Sequence, residues 1–114
     1  MNNTTENNKL IAEFMGFTEQ TNPKERWFGQ WFTNENIRTD LLHFDSDWNW
    51  LMNVVEKMEN SGVKITIGRM YCEIKYSDLF DKNKTFEITI ASGVKINAVN
   101  GAVVEFIQWY NKNK

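Results

Sequence analysis

Phe44-Asp-Ser-Asp-Trp-Asn-Trp-Leu-Met-Asn-Val-Val-Glu-Lys-Met-Glu-Asn-Ser-Gly62 decides the fold, because a helical period ends at its glycine and a strand period starts directly after it. Ser46 is the expected N-cap, since its hydroxyl can accept from an early backbone amide that has no intrahelical partner. Asp47 then falls in the first turn, where a negative charge suits the positive end of the helix dipole. Gly62, free to take a left-handed conformation, is the expected stop. At helical spacing Trp48, Leu51, Met52, Val55 and Met58 share one face, opposite Asn49, Asn53, Glu56, Lys57 and Asn60. Trp50 and Val54 widen the apolar arc to roughly 200°, against the ~100° that one-sided packing requires. A second contact is implied, either another helix of the chain or a partner subunit.

Past Gly62 the period is two. Val63, Ile65 and Ile67 alternate with Lys64 and Thr66, as in a half-buried strand. Gly68-Arg69 reads as a tight turn with glycine first, and Met70, Cys72, Ile74 and Tyr76 form the inward set of a second strand. Asp81-Lys-Asn-Lys84 reads as a loop. Thr85 to Ala91 is a third strand with Phe86, Ile88 and Ile90 inward. Short links between successive strands predict an antiparallel meander. The chain then predicts a long helix from Val94 or Lys95 to Tyr110, with Ile96, Val99, Ala102, Val103, Phe106, Ile107 and Tyr110 on one face and Trp109 at its border.

Upstream, Thr4 or Thr5 can cap a first helix that runs to about Met15, with Leu10, Ile11, Phe14 and Met15 as its stripe. Gly16 should end it in a Schellman closure that folds Phe17 back on the last turn. Thr18 to Phe44 has two readings. Asn22-Pro23 can open a helix with Asn22 as cap. Alternatively, Arg26-Trp-Phe-Gly-Gln-Trp-Phe32 is an extended aromatic segment turning at Asn34-Glu35-Asn36, which the interruption at Gly29 favours.

These elements predict one α+β domain over residues 1–114: a three-stranded antiparallel meander, two long helices and a short N-terminal helix. A length of 114 residues supports one core and is too small for two. Aromatic residues make up 14% of the chain, enough for ring burial to supply much of the stability. With a net charge of −2 there is no global attraction to long nucleic acid or to an anionic membrane. No apolar run approaches a spanning length and the first residues do not read as a signal peptide, so a cytoplasmic location is expected. The single cysteine excludes an intrachain disulfide.

Three blocks, Ile11-Ala-Glu-Phe-Met-Gly16, Ser46 to Glu59 and Ala102-Val-Val-Glu-Phe-Ile-Gln-Trp-Tyr-Asn111, are similar in order and spacing to small bacteriophage and prophage proteins of Bacteroidota. The chain resembles those described as phage "ABA sandwich" domains. The resemblance implies phage origin, the host cytoplasm and an α/β/α layering. It supplies no catalytic or ligand residues.

His43, the only histidine, and Cys72, expected to face the core, form no metal or nucleophile constellation. Asp45 and Asp47 flank the helix start, where capping and dipole complementation account for them. Glu73, Lys75 and Glu87 are expected on the outer sheet face as cross-strand charge pairs. No phosphate loop, dinucleotide fingerprint, nucleophile elbow or zincin motif is present, so no enzyme, metal or cofactor is expected. The aromatic segment is the candidate binding surface. Arg26, Trp27, Trp31, Arg38 and Trp50 combine rings that stack on a base with guanidinium groups that fork onto phosphate; the competing reading is that these rings plug the core. The expected function is a small phage-type accessory protein that acts by binding, sequestering a nucleotide immune signal of the host as an anti-defence sponge. The alternatives are a protein–protein module that inhibits or adapts a host or phage protein, and a small signal-degrading hydrolase. The wide apolar arc and the aromatic load also point to a homo-oligomer.

Overall fold

The computed structural model describes residues 4–33, 37–39 and 42–113. Helix α1 spans Thr4–Phe14 and ends as expected. Gly16 takes φ +85°, its amide donates to Glu13 at 3.1 Å, and the Phe17 amide donates back to Ala12 at 2.9 Å. That Schellman closure turns the Phe17 ring toward Phe44 and Trp50, at centroid distances of 5.9 and 6.3 Å. Helix α2 (Trp48–Asn60) closes in the same way, with Gly62 at φ +93° and the Val63 amide on the Met58 carbonyl at 3.1 Å.

The start of α2 differs from expectation. Asp47, not Ser46, is the N-cap, and its carboxylate accepts from the Asn49 amide at 2.8 Å. A carboxylate there meets an orphan amide and the helix dipole together, so it is preferred over the neighbouring hydroxyl. The buried face is also rotated from the expected one. Leu51, Val54, Val55 and Met58 are buried, whereas Trp48 and Met52 are 38% and 40% exposed. The cause lies before the helix: Phe44 and Phe17 pack on the Trp50 side, which draws that flank inward.

Strands β4 (Lys64–Ile67), β5 (Tyr71–Ser77) and β6 (Thr85–Ala91) follow α2 and form the expected antiparallel sheet in the order β4-β5-β6. The β4–β5 hairpin is displaced by one residue from its expected position. Ile67 pairs with Cys72 and the Gly68 amide donates to Tyr71 at 2.8 Å, so Arg69-Met70 is the turn. A Cβ at Gly68 would lie 2.0 Å from the Tyr71 ring, so any other residue there would displace that exposed side chain. Met70 accordingly leaves the inward set and is 53% exposed, while Cys72 and Ile74 are buried. On the outer face Lys75 lies 3.9 Å from Glu87 across the strands, the expected charge pairing, and 3.8 Å from Glu73 on its own strand.

Helix α3 (Lys95–Asn113) packs against β5, β6, α1 and α2, and is buried from Ala98 to Ile107 around most of its girth. Because α1 packs on α3 and the outer residues of the sheet remain open, the helices occupy one side of the sheet. The α/β/α layering implied by the resemblance is therefore not adopted. Two asparagines hold the segment leading into α2. The Asn8 amide donates to the Leu42 carbonyl at 3.1 Å and to Asp45 at 3.0 Å, and Asn100 donates to the Phe44 carbonyl at 3.1 Å.

Between α1 and α2 the chain is neither the expected helix nor one long strand. Two-residue strands β1 (Thr18–Glu19), β2 (Trp31–Phe32) and β3 (Arg38–Thr39) form a second, small antiparallel sheet. Residues 23–29 make turns that end at Gly29, whose φ of +83° stops regular structure there. The expected turn at Asn34-Glu35-Asn36 lies outside the described residues.

Candidate functional site

The small sheet positions the aromatic–arginine segment. Trp31 on β2 is directly opposite Thr39 of β3, and Phe32 is opposite Arg38. Strand alternation sends Trp31 inward, where it is 7% exposed and belongs to the core. Trp31 is thus a packing residue, and its ring is not presented to solvent. Arg38 turns to the other side, where its guanidinium carbon lies 4.0 Å from the Trp27 ring centroid and its Nη1 donates to Gln30 Oε1 at 2.6 Å. Arg26 reaches the same ring at 4.7 Å. One half-buried indole therefore gathers two guanidinium groups on an exposed surface.

Trp50 does not join that stack. Its ring meets His43, Phe44 and Phe17 edge-on at 5.2, 5.1 and 6.3 Å. There it walls an apolar cleft of about 250 Å³ together with Met15, Phe17, Thr33 and Phe44. Thr33 lies two residues after Trp31 and shares its inward face, so the cleft is on the opposite face of the small sheet from Arg38. The cleft has room for one ring-sized group.

Sequence reasoning missed a larger cleft of about 470 Å³ at the C-terminal ends of the helices, lined by Phe14, Lys57, Met58, Tyr76, Phe106 and Tyr110 among others. Its walls are aromatic: Phe106 stacks on Tyr110 at 5.9 Å and Tyr110 meets Phe14 edge-on at 6.1 Å. The C-termini of α1, α2 and α3 converge on it, which gives it carbonyl-rich, electronegative walls. Lys57 meets that field from within, lying 4.7 Å from the Phe14 ring centroid and donating to the Phe14 carbonyl. The signal was available in the sequence as a lysine in the last turn of α2, but nothing local says that α1 ends beside it.

Beside this cleft, burial raises the Tyr76 hydroxyl above its ordinary pKa, and the Asp78 carboxylate and Tyr110 act in the same direction. Asp78 is held below the usual carboxylate range, first by the Phe80 amide and against the opposing effect of burial, then by the Asp81 amide and by Lys84. Burial pushes the Cys72 thiol up to about 11, so it is neutral and inert near pH 7. Among the described residues no group of three or more His, Cys, Asp or Glu is placed to hold a metal, and no helix is long and apolar enough to cross a membrane. No protein-family model matches the chain, and no curated protein or solved structure is significantly similar to it.

Proposed function

We propose that the chain is a small phage-type accessory protein that acts by binding an anionic, nucleotide-like ligand at the small sheet, and so withdraws an immune signal of its host. The observation that carries this reading is the convergence of Arg26 and Arg38 on Trp27 at 4.7 and 4.0 Å. Guanidinium groups held by a ring lose little freedom when they fork onto phosphate. The cleft at the helix C-termini suits an anion poorly, because carbonyl ends and Glu13 face it and Lys57 is already engaged.

Calorimetry and thermal shift with cyclic dinucleotides and cyclic ADP-ribose isomers, alongside inorganic phosphate, test the reading. Binding should weaken with salt and fall by roughly 10- to 100-fold in Arg26→Ala, the loss expected for a charge-assisted hydrogen bond. Silence across the whole panel sinks it, and turnover of a bound nucleotide would favour a hydrolase instead. A second reading, a protein–protein module, is favoured by Trp48 and Met52, which lie one turn apart on α2 and are 38% and 40% exposed. If the double variant Trp48→Ser/Met52→Ser leaves capture of any host partner unchanged, that face is not the docking surface.

A further inference from the structure

β6 is an open edge of the larger sheet, since the strand order places it outside β5 with no further strand beside it among the described residues. Its register with β5 runs unbroken from Thr85 opposite Ser77 to Ala91 opposite Tyr71, so no bulge turns it away. The sequence Thr-Phe-Glu-Ile-Thr-Ile-Ala has no proline and one charge. Edge strands are ordinarily blunted by proline, bulges or lysine, and β6 has none of these. The opposite edge, β4, is only four residues long and carries Lys64.

The main chain of β6 limits what can pair with it. Lys84 accepts from Asp78 and Ser92 donates to Met70, so the even-numbered residues turn their backbone groups toward β5. By alternation, Thr85, Glu87, Thr89 and Ala91 present theirs outward. In an antiparallel pairing of β6 with itself, outward residues must face outward residues. A two-fold axis at Glu87 would set that carboxylate against its own copy, and an axis at Thr89 shortens the overlap. An axis at Ile88 uses the whole strand, with Thr85 opposite Ala91, Glu87 opposite Thr89 and Phe86 opposite Ile90. It forms about eight main-chain hydrogen bonds and covers the half-buried Phe86, Ile88 and Ile90 in one apolar row.

Exposed apolar side chains flank both ends of the strand. Beyond Thr85, Leu79 and Phe80 are 91% and 97% exposed at the tip of the β5–β6 loop. In that loop the Asp78 carboxylate accepts from the Phe80 and Asp81 amides at 2.8 and 3.1 Å. Beyond Ala91, Met70, Tyr71 and Val94 are 53%, 42% and 53% exposed. We propose that β6 pairs with β6 of a second copy about an axis at Ile88, extending three strands to six. This interface is isologous and closed, so it yields a dimer and not a filament. It is independent of the ligand-binding reading.

Sedimentation velocity and light scattering across concentration, on the full chain, test the interface. The unmodified protein should dimerise. Thr89→Pro removes an outward amide while leaving the β5 ladder intact, and should weaken dimerisation by at least ~100-fold. Thr89→Lys sets a cation opposite Glu87 of the second copy and should tighten it roughly 2- to 30-fold over two symmetric pairs, whereas Thr89→Glu should loosen it by a similar factor. A monomer at roughly millimolar concentration overturns the proposal. So does a dimer that responds alike to Thr89→Lys and Thr89→Glu. Should Thr89→Pro fail to fold by circular dichroism, the charge pair at this exposed position decides.

Discussion

Asn8→Ala probes the latch between α1 and the segment that enters α2. Asn8 is 7% exposed, and its amide nitrogen donates to both the Leu42 carbonyl and Asp45. Losing a bond to a neutral carbonyl and one to a charged carboxylate costs about 2–4.5 kcal/mol taken together. The same residue carries an opposing contribution. Its Oδ1 is buried with no hydrogen-bond partner among the described residues, and removing such an atom recovers about 1–3 kcal/mol. The net loss should therefore be about 1–2 kcal/mol, near the middle of the difference, or about 4–8 °C in Tm for a domain of this size. Urea unfolding monitored by tryptophan fluorescence reads it directly, and a cycle with Asp45→Ala isolates the shared bond. Asn8→Asp should be worse than alanine at neutral pH, since it turns the donor into a second carboxylate facing Asp45. A loss above ~4 kcal/mol for alanine would show that the orphan oxygen carries no penalty. No loss at all would show that the latch does not form.

Phe106 is 2% exposed and touches Tyr76, Phe86, Trp109 and Tyr110, so Phe106→Ala should cost about 3–5 kcal/mol by urea melt, a large share of the ~6–17 kcal/mol available to a chain of this length. Cys72 should resist a thiol reagent at pH 8 in the native protein and react fully in denaturant. Its folded pKa of about 11 exceeds the ordinary 9.0, so its contribution to stability is complete below pH 9 and is lost as the pH rises toward 11. Asp78 has the opposite sign: its folded pKa is depressed, so the order it confers is present above the usual carboxylate range and is lost as acid protonates it. Hydrogen exchange should show the Phe80 and Asp81 amides losing protection in Asp78→Ala, with the strand amides of β5 unchanged.

Much of this protein is determined by local sequence. The three long strands, the three helices and both Schellman closures follow from period and from Gly16 and Gly62, because each depends on residues a few positions apart. The outward placement of Glu73, Lys75 and Glu87 follows from alternation alone, and the β5–β6 register then sets Lys75 opposite Glu87. The tertiary structure decided the rest. Which flank of α2 is buried depends on Phe17 and Phe44, which arrive from outside the helix and draw Trp50 inward while leaving Trp48 in solvent. Whether an aromatic ring is core or surface between residues 26 and 38 was set by a two-residue strand too short to have a readable period. The small sheet thus divided the expected site, sending Trp31 to the core while gathering Arg26 and Arg38 on Trp27. Asn8 and Asn100 hold the chain across 34 to 56 positions, a separation at which no local pattern carries information.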